Sequence, residues 1–181
     1  KLGVIGNVLI KQDKDEKIGL IIINEYDTAS RRYFSFREGL FATESIYIGG
    51  QQDKGDSSLG LIGTLVALED VEITHAKIWV GEKRGSKYIP ATHGRHLTIQ
   101  AHGDVLIDKA CIQLKNNNYD FRIFTKGTIT INNTGGCNEY PGFYYAENGI
   151  KVYTNGKQVT FPGGVVGEIQ KMDAGPDIIY D

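Results

Sequence analysis

The sequence predicts an all-β chain wound into a parallel β-helix, a right-handed solenoid with inserted loops. Three observations carry that expectation. First, a signature recurs: a small or aliphatic residue, any residue, two positions that are mostly Gly, small polar or acidic, then apolar-x-apolar. Its copies start at Val4, Ala42, Ala67, Ala101, Thr125 and Ala146, with a clipped seventh at Val165, so successive starts lie 38, 25, 34, 24, 21 and 19 residues apart. A period of roughly 20–25 residues, lengthened by insertions, belongs to solenoids, where each coil buries its apolar face against the next. Second, an apolar pair trails the signature in several copies (Ile78 and Val80, Ile112 and Leu114, Val159 and Phe161), which gives one coil at least two short strands with alternate side chains inward. Third, 23 glycines against four prolines suit many tight turns between strands, and amphipathic runs of helix-forming residues are absent. An antiparallel β-sandwich is the competing arrangement, and the constant offset of the Gly or small polar pair favours the solenoid.

Taken in order, residues 4–10 open the solenoid with no capping helix, which leaves an exposed coil end unless upstream residues cover it. Because the chain starts at Lys1 directly on a strand-like run, residues 1–181 are expected to be a single domain taken from a longer surface protein. Residues 11–17 form a charged, solvated turn; its Asp13, Asp15 and Glu16 lack the Gly and terminal Glu of the helical calcium loop. Residues 18–23 return as a buried strand. Residues 24–38, with Tyr26, Arg31, Arg32, Tyr33, Phe34, Phe36 and Arg37, are a first insertion, read as an edge element over the core in preference to a recognition surface. Residues 50–58 are a polar turn, and residues 59–80 are nearly continuous strand with a corner at His75. After a third insertion at 81–93, residues 101–114 read strand, polar corner at Asp108 and Lys109, strand. Residues 115–120 and 132–142 are polar turns, and Phe143 to Tyr145 enter the next coil.

A formal net charge of −2 gives no basic footprint for nucleic acid. No apolar run approaches the roughly 20 residues of a membrane-spanning helix. Phosphate-loop, nucleophile-elbow and dinucleotide signatures are missing, which removes the common intracellular enzyme classes. His93, His96 and His102 fall within ten residues, but no Cys or Glu completes a zinc spacing, so no metal or other cofactor is expected. Cys111 and Cys137 lie 26 residues apart, near the local coil spacing, so a disulfide between neighbouring coils and two buried thiols are both open readings. Trp79 lies between Ile78 and Val80 and so points outward if they point inward; a platform for a sugar ring, beside Lys77 and Lys83, and an indole covered by a neighbouring loop are both open readings. Tyr119, Tyr140, Tyr144 and Tyr153 join it as candidate ligand-binding aromatics, able to form one strip along a solenoid axis.

Residues 143–167, from Phe143-Tyr-Tyr-Ala-Glu-Asn-Gly to Pro-Gly-Gly-Val-Val-Gly167, with the ending Asp177-Ile-Ile-Tyr-Asp181, resemble the C-terminal solenoid of type IV pilus-associated surface proteins of Gram-positive bacteria, with the tāpirin cellulose adhesins as relatives. The resemblance covers the last third of the chain and the rest by repeat style, and it carries no catalytic motif. It implies an extracellular, non-catalytic binding or scaffold role; taken with the candidate aromatics, the expected function is a cell-surface adhesion module that binds an insoluble, cellulose-like polysaccharide, with polysaccharide and pilus or cell-surface components as partners. Two alternatives stand beside it. One is a polysaccharide lyase or hydrolase, for which Asp104 and Asp108 are the nearest carboxylates. The other is a structural, polymerising solenoid.

Overall fold

A strand whose alternate residues are Ile, Val, Leu or Ala has one apolar side, and a repeat that returns this side to the same place in every coil lets the coils stack into one column. The computed structural model describes residues 2–4, 8–11, 20–23, 32–49, 57–81, 96–114, 120–135, 137–174 and 178–180. Its strands are β1 (Leu2–Val4), β2 (Val8–Lys11), β3 (Leu20–Ile23), β4 (Arg32–Ala42), β5 (Ile46–Gly49), β6 (Ser57–Ala67), β7 (Val71–Val80), β8 (His96–Ala101), β9 (Val105–Leu114), β10 (Asp120–Thr125), β11 (Ile129–Asn132), β12 (Gly142–Ala146), β13 (Ile150–Tyr153), β14 (Val159–Phe161), β15 (Gly163–Val166), β16 (Ile169–Lys171) and β17 (Ile178–Tyr180). Every strand pairing among the described residues is parallel, which a β-sandwich of hairpins does not give. The chain is a parallel β-helix with three faces.

Face A stacks β1, the ends of β4 and β6, then β8, β10, β12 and β15. Face B stacks β3, β2, β5, the first halves of β7 and β9, then β11, β13 and β16. Face C stacks the beginnings of β4 and β6 and the second halves of β7 and β9; further along, β14 pairs with β17. Coils one to seven follow the signature copies. On face B the register joins Val8, Ile46, Val71, Val105, Ile129, Ile150 and Ile169 into one column, the apolar position of all seven copies. On face A it joins Val4, Ala42, Ala67, Ala101, Thr125 and Ala146. The seventh start is corrected: Val165 pairs with Tyr144 rather than Ala146, so the last A-to-B turn is two residues shorter.

Three local readings also change. Residues 32–38, placed in the first insertion, belong to β4; as the edge element expected there, residues 32–36 pair with β6 on one side only among the described residues. Ser57 and Ser58, placed in a turn, begin β6. β3 pairs with the edge of β2 opposite β5, so residues 20–23 add a rung over the coil end that the sequence left open.

The signature's turn has a physical explanation. The Asp70 backbone N–H donates to Ser45 Oγ at 3.3 Å, that of Asp104 to Asp70 Oδ1 at 2.7 Å, and that of Thr128 to Asp104 Oδ1 at 2.7 Å. Each turn side chain thus satisfies a backbone donor of the next coil, a ladder of Asx-type bonds along the axis. An Asp reaching across occupies the place where the preceding residue of the next coil would carry a Cβ, so Gly103 follows Asp70 and Gly127 follows Asp104. The shorter Ser45 leaves room for Glu69, whose Oε2 accepts from Ser45 Oγ at 3.4 Å. Gly103→Ala is therefore expected to lower the free energy of unfolding by about 1–3 kcal/mol, an overpacking cost, and Asp70→Ser in the same chain to recover part of it. Urea unfolding of the two single variants and the double checks the coupling.

The B-to-C corner of coils three and four uses one left-handed residue in each. His75 and Lys109, both at φ 49°, lie between the paired Thr74 and Asp108 on one side and Ala76 and Ala110 on the other. A single αL residue redirects the strand without breaking its pairing. Ile78, Val80 and Ile112 then point inward and are buried, as are Val159 and Phe161.

In coils five and six, aromatics fill the interior. Phe121 and Tyr144 pack edge to face at 5.8 Å, Tyr144 and Phe161 at 5.5 Å, and Tyr140 lies 5.9 Å from Phe161. Tyr140 and Tyr144 have no exposed surface. Their assignment as ligand-binding aromatics is corrected: each buries its ring in the core and turns its hydroxyl to a protein acceptor. Tyr144 donates to the Pro141 carbonyl at 3.3 Å and Tyr140 to Asn133 Oδ1 at 3.4 Å. Burial, and secondarily the Asp108 carboxylate, pushes the Tyr140 phenol well above its ordinary value; burial, and secondarily Tyr140, does the same at Tyr144. In the unfolded chain these phenols ionise near pH 10, while in the fold they stay protonated to higher pH. The folded state therefore holds more protons there, and stability, full below about pH 10, falls as pH rises through the folded pKa. Alkaline unfolding of Tyr140→Phe is expected to lack part of this loss, read as a shallower fall in the urea midpoint above about pH 10.

Candidate ligand-binding site

Outward positions alternate with the inward ones, and on two faces they collect aromatic side chains. On face A, inward Phe121, Ile123 and Thr125 leave Phe124 outward, and inward Tyr144 and Ala146 leave Phe143 and Tyr145 outward. All three are partly exposed. Phe124 lies 5.7 Å from Phe143 and 6.4 Å from Tyr145, so the rings form one patch across coils five and six. The Phe143 ring lies over Gly164 of coil seven, where a Cβ would meet its Cδ2 at 2.6 Å. The absence of a side chain there lets the ring lie down on the sheet. By register, Phe124 and Tyr145 continue a column of Phe41, Val66, Gln100 and, beyond them, Val166. Beside the patch, Arg122 Nε donates to Asp120 Oδ2 at 2.6 Å.

Face C carries a groove of about 770 Å³. Lys77 and Trp79 of β7 form one end of its lining, with Cys111 and Gln113 of β9 next to them in register. Further along the axis the lining continues with Cys137, Asn138 and Glu139 of coil five, and Pro141 and Pro162 beyond. Trp79 faces outward as expected, partly buried between fully buried Ile78 and Val80, and pairs in register with Gly60 and Gln113. The groove exists because the face C ladder is interrupted. β9 pairs through residues 110–114 with β7, and among the described residues no strand continues from its other edge. Residues 138–140 pair instead toward coil six: Thr160 N–H donates to the Asn138 carbonyl at 2.8 Å and Tyr140 N–H to the Thr160 carbonyl at 2.9 Å.

A covalent bond spans the interruption. Cys111 and Cys137 form a disulfide, with Cα atoms 5.6 Å apart. Buried Asn133 sets the approach of this segment, accepting from the Cys137 N–H at 3.1 Å and from the Tyr140 hydroxyl through the same Oδ1. The coil spacing of the two cysteines was the signal in the sequence; the choice between bond and thiols was not.

The predicted aromatic strip does not form. Trp79 lies on face C, Tyr153 is 36% exposed at the end of β13 on face B, and Tyr140 and Tyr144 are interior. Tyr119 lies outside the described residues, as do Lys83 and His93. His96 begins β8 and His102 lies exposed in the next turn, its N–H bonded to the Ala67 carbonyl. The two carboxylates considered for catalysis have structural partners: Asp104 accepts the Thr128 N–H at 2.7 Å, and Asp108 accepts the Thr134 hydroxyl at 3.4 Å. Comparison of the chain with protein-family models, curated proteins and solved structures gave no match.

Proposed function

We propose that this chain is an extracellular, cell-surface adhesion module that binds insoluble polysaccharide without catalysis, in the manner of the pilus-associated solenoids its last third resembles. The observation that carries the reading is the outward patch of Phe124, Phe143 and Tyr145 on the flat sheet of face A. Sugar rings present C–H faces that pack on aromatic rings, and a rigid parallel sheet holds such rings at fixed spacing with little ordering cost on binding. The disulfide suits an oxidising compartment outside the cell. The structural engagement of Asp104 and Asp108 favours binding over hydrolysis, which needs two carboxyl groups directed at one sugar bond.

The test is depletion of the purified protein by insoluble cellulose, xylan, pectin and chitin, with each supernatant assayed for released sugars and unsaturated products. Binding without product is expected for at least one solid. Phe124→Ala with Tyr145→Ala is expected to weaken it about tenfold or more, on the scale of two stacked rings. Release of product would overturn the non-catalytic reading and return attention to the carboxylates. Failure to bind any of the solids would leave the structural, polymerising solenoid.

A further inference from the structure

We infer that the groove on face C is a second, separate glycan site that takes a single solvated chain of neutral sugars, whereas face A meets the solid. The inference rests on the polysaccharide-binding reading and adds the form and charge of the ligand.

Shape supplies the first argument. Face A presents its rings on an open sheet, suited to a surface. The face C groove runs from Trp79 with Lys77 at one end to Pro141 with Pro162 at the other, and its 770 Å³ has the size of a small-ligand site rather than of a contact plane. Direction supplies the second. The lining comes from four consecutive coils, with Trp79 on coil three, Gln113 on coil four, Glu139 on coil five and Pro162 at the end of coil six. At about 4.8 Å per rung this is roughly 14 Å along the axis, across the strands. An extended peptide adding to the β9 edge would follow that one rung, whereas the lining comes from four coils. A glycan chain needs no such alignment: it stacks one ring on an indole and hydrogen-bonds side-chain amides along its length.

Charge and chemistry supply the third. Among the described residues, the charged side chains lining the groove are Lys77 and Glu139, exposed and of opposite sign, so their charges offset and give no net attraction for a uronate. Gln113 and Asn138, both exposed, bring amides that donate to and accept from hydroxyls. Trp79, the only Trp in the chain, supplies the aromatic face.

The experiment titrates the oxidised protein with cellohexaose, xylohexaose, chitohexaose and hexagalacturonate, following Trp79 fluorescence and heat. A saturable change with at least one of the three neutral oligosaccharides, and none with hexagalacturonate, is expected. Trp79→Ala is expected to weaken that binding about tenfold or more. Gln113→Ala, at an exposed position that the fold tolerates, is expected to weaken it severalfold and keeps the test valid if the Trp variant misfolds. Phe124→Ala with Tyr145→Ala is expected to leave it within about twofold while losing the solid. Solid binding without any response to the neutral oligosaccharides would overturn this inference and leave the adhesion reading intact. Loss of soluble binding in the Phe124 and Tyr145 variant would move the chain to face A and overturn it too, as would preference for hexagalacturonate. No binding to solids or oligosaccharides would overturn both readings.

Discussion

Tyr144→Ala is expected to remove about 3–5 kcal/mol from the unfolding free energy, the range for emptying a buried aromatic site. Tyr144 is wholly buried and packs edge to face on Phe121 and Phe161, in coils five and six respectively, so its loss leaves a void walled by rings that cannot close in from both sides. Tyr144→Phe keeps the ring and loses one hydrogen bond to the Pro141 carbonyl, at a cost of about 0.5–1.5 kcal/mol. Tyr145→Ala, one residue along and facing outward, is expected to cost about 1 kcal/mol or less. Urea unfolding of the three variants tests the register itself. If Tyr145→Ala proved the costly change and Tyr144→Ala the mild one, β12 would be turned over, and the face A site would disappear with it.

Removing the disulfide, by Cys111→Ser with Cys137→Ser, is expected to cost about 3–4 kcal/mol on the loop-closure scale for a bridge spanning 26 residues. This bridge sits where the ladder on face C is interrupted, so it joins two coils that show no backbone pairing there among the described residues. The loss should therefore be local as well as global. Hydrogen exchange in the reduced protein is expected to quicken around residues 133–140 and to change little in β8 and β10 on face A. A reductant that left both the unfolding midpoint and this exchange unaltered would show that the segment is held by Asn133 and the coil-six pairing alone. Alkylation under denaturing, non-reducing conditions should leave both sulfurs unlabelled.

Much of the fold was legible because a parallel β-helix writes its register into the sequence. The seven apolar positions from Val8 to Ile169 stack one on another, and the insertions at 25–38-residue spacings lengthen coils without shifting the column. The same register held more than was taken from it. Ala146 is inward as a signature position, and a period of two carried back from it puts Tyr144 inside and Phe143 and Tyr145 outside. Counting back from Thr125 turns Phe124 outward in the same way. Without that count, the candidate aromatics include Tyr140 and Tyr144, which form the core, and omit the face A patch.

What the sequence determined by itself was the periodic part: the all-β parallel architecture, the corners at His75 and Lys109, and the outward turn of Trp79. These follow from alternation and repeat spacing, which are local properties of the chain. The tertiary structure alone decided which outward residues become neighbours. Phe124 and Phe143 meet because coils five and six are in register on face A, and Trp79 borders a groove because the ladder on face C breaks beyond β9. Cys111 and Cys137 meet because the coil-five segment is turned back to β9 by Asn133. Contacts between coils depend on the loop lengths and side-chain packing of both partners at once, and no stretch of one coil encodes them.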